Sequence, residues 1–246
     1  MKRHWIIFGA LALVVFWSGC KKLEFMPSEP NAIMPLEKGR YWVYEEVFSA
    51  IYSDSVRTDC INKVEWEVLE KGYLDVEADE SSGEDVRMEM FSMRSKRGSD
   101  NVYYLLRPES DGIMIHDITG KNPSPNARSP IEPCHGVWLS DKKYMIQYPF
   151  PDSTELPQNI ITGCSDFSCV EELLVAAQSN GPRKLVPAGM TSVDVGGESI
   201  DAMQLGSEYW APEVGLVKID WEWFLAWQTD TVFYELSWEL KEYGTR

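Results

Sequence analysis

The sequence predicts a mostly β, antiparallel protein with one short helix. Three observations carry that expectation. Apolar residues recur at every second position along much of the chain, Gly-containing turns punctuate the runs, and only one short stretch shows a helical period. Strict alternation sets one face of a strand on a core and the other in water, as antiparallel sheets do, and short turns between runs favour a meander over βαβ units.

The N-terminus reads as an export signal. Lys2, Arg3 and His4 make a positive start, and Trp5 to Trp17 is an uncharged, mostly apolar run of 13 residues. That suits the h-region of a secretory signal and falls short of the ~20 residues that span a bilayer. Ser18, Gly19 and Cys20 follow. They resemble the lipobox of bacterial lipoproteins, whose cysteine is acylated and becomes residue one of the mature chain; Trp17 departs from the usual aliphatic residue. The alternative is an uncleaved anchor with an incidental cysteine. Acylation of Cys20 with two or three chains gives stable anchoring where one does not. Lys21 stands where an Asp would favour inner-membrane retention, so the resemblance points to the outer membrane.

Removing residues 1–19 takes away Lys2 and Arg3 and leaves 21 basic against 39 acidic residues, a formal charge of −18. Such a surface argues against nucleic acid and against electrostatic binding to anionic headgroups. Residues 20–35, with Pro27, Pro30 and Pro35, read as the lipidated cysteine and a tether. Residues 36–246 read as a single β-rich domain, with a subdivision conceivable near 121–133, where four prolines forbid regular strand.

Within the body, Val64, Trp66 and Val68 alternate with Glu65 and Glu67, and Val86, Met88 and Met90 alternate with Arg87 and Glu89. The longest run sets Val232, Tyr234, Leu236, Trp238 and Leu240 against Thr231, Phe233, Glu235, Ser237 and Glu239. Lys71-Gly72, Ser81-Ser82-Gly83, Asp111-Gly112, Thr119-Gly120 and Gly196-Gly197 are turn signals. The helix is expected over Cys169 to Gln178, where Val170, Leu173, Leu174 and Ala177 share one face.

Cys60, Cys134, Cys164 and Cys169 remain once Cys20 carries lipid, and an even count in an oxidising compartment favours two disulfides. Four cysteines allow three connectivities; Cys164 with Cys169 is the most local pair, leaving Cys60 and Cys134 to staple distant segments. A zinc site at Cys134-His135 lacks the paired spacing that metal ligands show, so no metal is expected. The acidic stretch Asp75 to Asp85 lacks EF-hand order and reads as a charged hairpin tip.

Two segments carry a further resemblance. Pro35-Leu36-Glu37-Lys38-Gly39-Arg40-Tyr41-Trp42-Val43-Tyr44 is similar to the opening P-L-x-x-G-x-x-W-x-Y of many functionally unassigned Gram-negative outer-membrane lipoproteins. Val186-Pro187-Ala188-Gly189 and Tyr209-Trp210-Ala211-Pro212-Glu213-Val214-Gly215-Leu216-Val217-Lys218 are similar to their closing P-A-G … W-x-A-P-x-V-G-L-V-K. The resemblance implies a strongly curved antiparallel sheet, an open barrel or a sandwich. It implies no reaction, because no catalytic residues belong to the pattern. Gly39 and Gly215 read as tight entries to strands, and Trp42 and Trp210 as fillers of the sheet ends.

For chemistry, the chain has no G-x-S-x-G, HExxH, P-loop or GxGxxG, so no catalytic residue and no cofactor are assigned. Its many acids could still pair as in a glycosidase, but the default reading is a solvated sheet face. Trp210, Trp221, Trp223, Trp227 and Trp238 crowd into 29 residues. Trp221, Trp223 and Trp227 could form a flat platform for a glycan or a protein; the competing reading is core. The expectation is a lipid-anchored, non-catalytic accessory or binding subunit with an envelope protein partner. A glycan-binding lipoprotein is the alternative.

Overall fold

A computed structural model describes residues 33–52, 57–77, 85–119, 144–148, 150, 154–156, 183–227 and 230–246. In chain order the first strands are β1 (Arg40–Ile51), β2 (Arg57–Glu77), β3 (Asp85–Arg97), β4 (Asp100–Glu109), β5 (Gly112–Thr119) and β6 (Tyr144–Gln147). A small pair follows, β7 (Thr154–Leu156) and β8 (Arg183–Leu185). Then come β9 (Pro187–Val195), β10 (Glu198–Leu205), β11 (Glu208–Ala211), β12 (Gly215–Trp227) and β13 (Asp230–Thr245).

Eleven of these make one antiparallel sheet in the order β6-β5-β4-β3-β2-β1-β13-β12-β11-β10-β9, curled into a half-barrel, while β7 and β8 pair with each other. The curved, open-barrel expectation therefore holds among the described residues. Two meanders run outward from the centre, where the first and last strands of the chain lie side by side, Arg40 opposite Thr245 and Ile51 opposite Phe233. Residues 121–133 and the helix expected over 169–178 lie outside the described residues. The strands that flank the proline-rich stretch, β5 and β6, are hydrogen-bonded neighbours in one sheet.

Alternation makes the core. On β1 the inward residues are Trp42, Tyr44, Phe48 and Ala50, on β2 Val64, Trp66 and Val68, and on β13 Tyr234, Leu236, Trp238 and Leu240, all buried. The registers Trp42 opposite Trp66 and Phe48 opposite Leu236 stack them on one face. Curling lets that single face seal itself, and one continuous cluster runs from Ile146 on β6 to Leu205 on β10. Ile33, Met34 and Leu36 are buried in the same cluster, so the folded body reaches back at least to Ile33, ahead of the boundary expected at residue 36.

The two segments singled out by resemblance meet in space. The Trp42 indole donates to the Val214 carbonyl, the Tyr44 hydroxyl donates to the Leu216 carbonyl at 3.0 Å, and the Arg40 guanidinium donates to the Glu213 carbonyl at 2.8 Å. Each bond reaches from β1 past β13 to the start of β12. Gly215 (φ +101°) lies beneath this contact, where a Cβ would stand 3.2 Å from the Met34 side chain and 3.5 Å from the Trp42 indole nitrogen. Gly39 (φ +83°) leads into β1, and a Cβ there would come within 2.6 Å of the Arg246 carbonyl oxygen. Both glycines are thus required by backbone conformation and by close approach.

Ala211-Pro212-Glu213-Val214 is a β-turn closed by the Val214 amide donating to the Ala211 carbonyl at 3.2 Å. Glu213 occupies the third position with φ +61°, where a type II turn prefers glycine. The strain is tolerated because Arg40 and Trp42 hold the carbonyls of Glu213 and Val214. Glu213→Gly keeps those carbonyls and relieves the left-handed side chain, so we expect stabilisation of about 0.5–1 kcal/mol. A rise in melting temperature of roughly 1–4 °C by circular dichroism would show it; a fall would mean that the Glu213 side chain itself holds the turn.

Candidate functional site

On the inner face, the central strands carry a buried charged centre among aromatic rings. Glu46 follows the phase of Tyr44 and Phe48 and is fully buried. Its carboxylate accepts from the Trp238 indole at 2.7 Å and from the Asn62 amide at 2.9 Å, and it pairs with the Arg97 guanidinium. Arg97 also lies over the Trp238 ring, 6.0 Å from its centroid. The four groups come from β13, β1, β2 and β3, so one carboxylate ties four adjacent strands. Tyr44 packs 5.3 Å from both Trp66 and Trp238, with Trp66 edge-on at 68°. Burial pushes the Tyr44 hydroxyl well above the ordinary tyrosine range.

A second buried carboxylate, Glu208 on β11, accepts from the Trp210 indole at 2.9 Å. Glu46 and Glu208 are exceptions to the reading of the acids as a solvated face, which the other acids of described burial, exposed or half-buried, follow. The period-two phase already aimed Glu46 inward, but residue type argued for water, and its partners Asn62, Arg97 and Trp238 lie far along the chain. A buried carboxylate supplied with charged and indole donors is a structural clamp, and its chemistry is to hold charge in place.

The outer face of the same strands is different in kind. Across β2, β1 and β13 the register makes three rows: Ile61, Val47, Ser237; Asp59, Ser49, Glu235; and Arg57, Ile51, Phe233. Ile61 is 68% exposed and Phe233 54% exposed, two of the few large apolar side chains in water among the described residues. Val47 and Ile51 beside them are half-buried. Between the apolar rows runs a polar one. Arg57 bonds Asp59 at 2.7 Å and reaches Glu235 at 3.1 Å, while Ser49 donates to Asp59 at 2.6 Å. The Ser49 hydroxyl and then the Arg57 guanidinium hold the Asp59 carboxyl below the usual range, and its bond to Asp59 raises Arg57. The patch therefore has Ile61 and Val47 at one margin and Ile51 and Phe233 at the other, with Arg57 reaching from the second margin into the acidic middle row, its charges already oriented.

The aromatic strand expected to form a platform is β12. Trp221 stands opposite Leu236 in register and is part-buried, packed against the core cluster. Trp223 and Trp227 lie in the same strand opposite Tyr234 and Asp230, and their side chains are outside the described residues. Trp210 and Trp238 are fully buried core residues.

Cys60, expected in a disulfide, is half-buried on β2 opposite Phe48. No bonded pair falls within the described residues. Cys20, Cys134, Cys164, Cys169 and His135 lie outside them as well. His116 lies within β5, exposed. Of the acidic stretch from Asp75 to Asp85, the described ends lie on β2 and β3, with Glu77 opposite Asp85. Among the described residues, no group of His, Cys, Asp and Glu is arranged to hold a metal ion.

Comparison with protein-family models, with curated proteins and with solved structures found no match.

Proposed function

We propose that this chain is a lipid-anchored, non-catalytic binding protein of the bacterial outer membrane, an accessory subunit for a protein partner in the envelope. The observation that carries the reading is the outer face of the central strands. Ile61 and Phe233 stand in water there while the inner face of the same strands is sealed. A rigid sheet with exposed apolar side chains flanking an ionic row fits a protein surface, which supplies apolar contact and hydrogen bonds together. Trp221 packs on the core, which supports a protein partner over a glycan stacked on that ring. The lipobox-like Cys20 supplies the anchor in this reading, and the 12 residues from 21 to 32 can span at most ~40 Å, keeping the body near the membrane.

The test is a cross-linked pull-down of the natively lipidated protein from outer membranes. One reproducible partner is expected, with recovery falling about tenfold or more for Ile61→Asp and Phe233→Asp, as for central apolar contacts. Unchanged recovery with both variants would remove the outer face from the interface, and no partner at all would sink the accessory reading. Cys20→Ala should move the protein from the membrane pellet to the soluble fraction; continued extraction only by detergent would overturn the anchor.

A further inference from the structure

The half-barrel has two ends, and they are treated differently. An end strand offers main-chain donors and acceptors to any passing chain, and proteins ordinarily blunt it by shortening it, charging it or bulging it. At one end β6 is only four residues, Tyr144–Gln147, with Met145 and Ile146 buried. At the other, β9 runs nine residues, Pro187–Val195, and among the described residues it is hydrogen-bonded to β10 alone. After Pro187 and the left-handed Gly189 (φ +127°), Met190-Thr191-Ser192-Val193-Asp194-Val195 continues with no proline or glycine and one charge. These residues pair in regular register with β10, from Met190 opposite Met203 to Val195 opposite Glu198. Among the described residues the strand is long and regular, with Asp194 as its one charge and no strand paired beyond it.

Its two faces specify what could join it. Val195 is buried and Val193, two residues before it on the same face, packs against the core cluster, so an added strand would continue the core with apolar residues on that side; Met190 falls on the other phase, with Ser192 and Asp194. On the outer side Ser192 and Asp194 are exposed, opposite Asp201 and Ser199, and the Ser192 and Ser199 hydroxyls bond each other. From Pro187 to Leu205 the charged residues are Asp194, Glu198 and Asp201, all acidic and all exposed, with no Lys or Arg.

We propose that β9 is a docking edge for an extended segment of a partner polypeptide, apolar on its inward side chains and carrying Lys or Arg on its outward ones. The segment adds as one more antiparallel or parallel strand, with main-chain hydrogen bonds supplying affinity and the acidic outer margin selecting basic side chains. This inference rests on reading the chain as a protein-binding subunit, and it names a mode of binding and a partner chemistry separate from the Ile61–Phe233 face.

The probe is an alternating valine–lysine peptide matched in length to Met190–Val195, added to the full folded protein and followed by amide hydrogen exchange and fluorescence anisotropy. Three comparisons accompany it: a valine–glutamate peptide, a valine–lysine peptide of equal charge with a central proline, and Ser192→Lys protein. The expected result is protection of the Met190–Val195 amides by the valine–lysine peptide, with binding at least about tenfold weaker in all three comparisons. Ser192 is exposed, so Ser192→Lys should keep the wild-type melting temperature; Ser192→Glu repeats the experiment with the opposite charge and should leave the strand paired to β10. No protection over 190–195, or equal binding of the proline-centred peptide, would overturn the inference, the latter marking simple attraction of cations to an acidic protein. In the membrane pull-down, a partner retained by Ser192→Lys but lost by Ile61→Asp would remove the β9 mode and leave the accessory reading intact. A wild-type protein that captures nothing fails the broader reading instead.

Discussion

Glu46→Ala is expected to destabilise the protein by about 3–5 kcal/mol, because it takes the Glu46 carboxylate away from a buried guanidinium. Arg97 has a side chain only 6% exposed, and its ion-pair partner in the centre is the fully buried Glu46 carboxylate. The Asn62 amide and the Trp238 indole would lose their acceptor at the same stroke. Removing one member of such a pair costs far more than removing both, since the desolvation of the survivor is no longer offset. The double variant Glu46→Met with Arg97→Met should therefore recover most of the loss, and Glu46→Gln, which keeps an acceptor without the charge, should fall between. Urea denaturation followed by tryptophan fluorescence reads all three on one scale. A loss under about 1 kcal/mol for Glu46→Ala, or a double variant as unstable as the single, would show that the centre does not clamp the strands.

Trp42→Ala should cost a similar amount, about 3–5 kcal/mol, for a different reason. The indole is fully buried at the crossing of the opening and closing segments, and its nitrogen donates to the Val214 carbonyl. Truncation leaves a large cavity beside Gly215 and Met34 and an unpaired carbonyl in the turn that Glu213 already strains. A fall in melting temperature of roughly 6–20 °C is expected for a domain of this size. Amide exchange should quicken over 211–217, and Trp42→Phe, which retains most of the ring packing, should lose less than half as much. Rapid exchange confined to β1, with 211–217 still protected, would mean that the two segments are stabilised independently.

The outer face was only partly legible in the sequence. Phe233 falls on the opposite phase from Tyr234, Leu236 and Trp238, so its exposure was legible in the alternation of β13. Ile61 gave no such signal, because it stands one residue after Cys60 and before a polar pair. Only the pairing of β2 with β1 and β1 with β13 brings Ile61, Val47, Ile51 and Phe233 onto one surface around Arg57 and Asp59. The β9 edge was likewise invisible in the sequence. A strand's own residues do not say whether it ends a sheet.

Local periodicity determined a good deal on its own. Alternation is imposed by backbone geometry and by the partition of side chains between water and core, both of which act residue by residue. It therefore identified β2 through Val64, Trp66 and Val68, and the inward set of β13 from Tyr234 to Leu240. The turns at Asp111-Gly112 and Gly196-Gly197 fall at strand boundaries. Lys71-Gly72, also expected to turn, instead lies inside β2 opposite Phe91 and Met90, because pairing with β3 carries the strand through the glycine. The tertiary structure alone decided the pairing of β1 with β13, the curl of the sheet, the docking of Trp42 and Tyr44 on β12, and the burial of Glu46. Each of these depends on contacts between residues far apart in the chain, where the free energy comes from a partner that no local pattern contains. A glutamate beside another glutamate reads as surface until an arginine 51 positions away is folded against it.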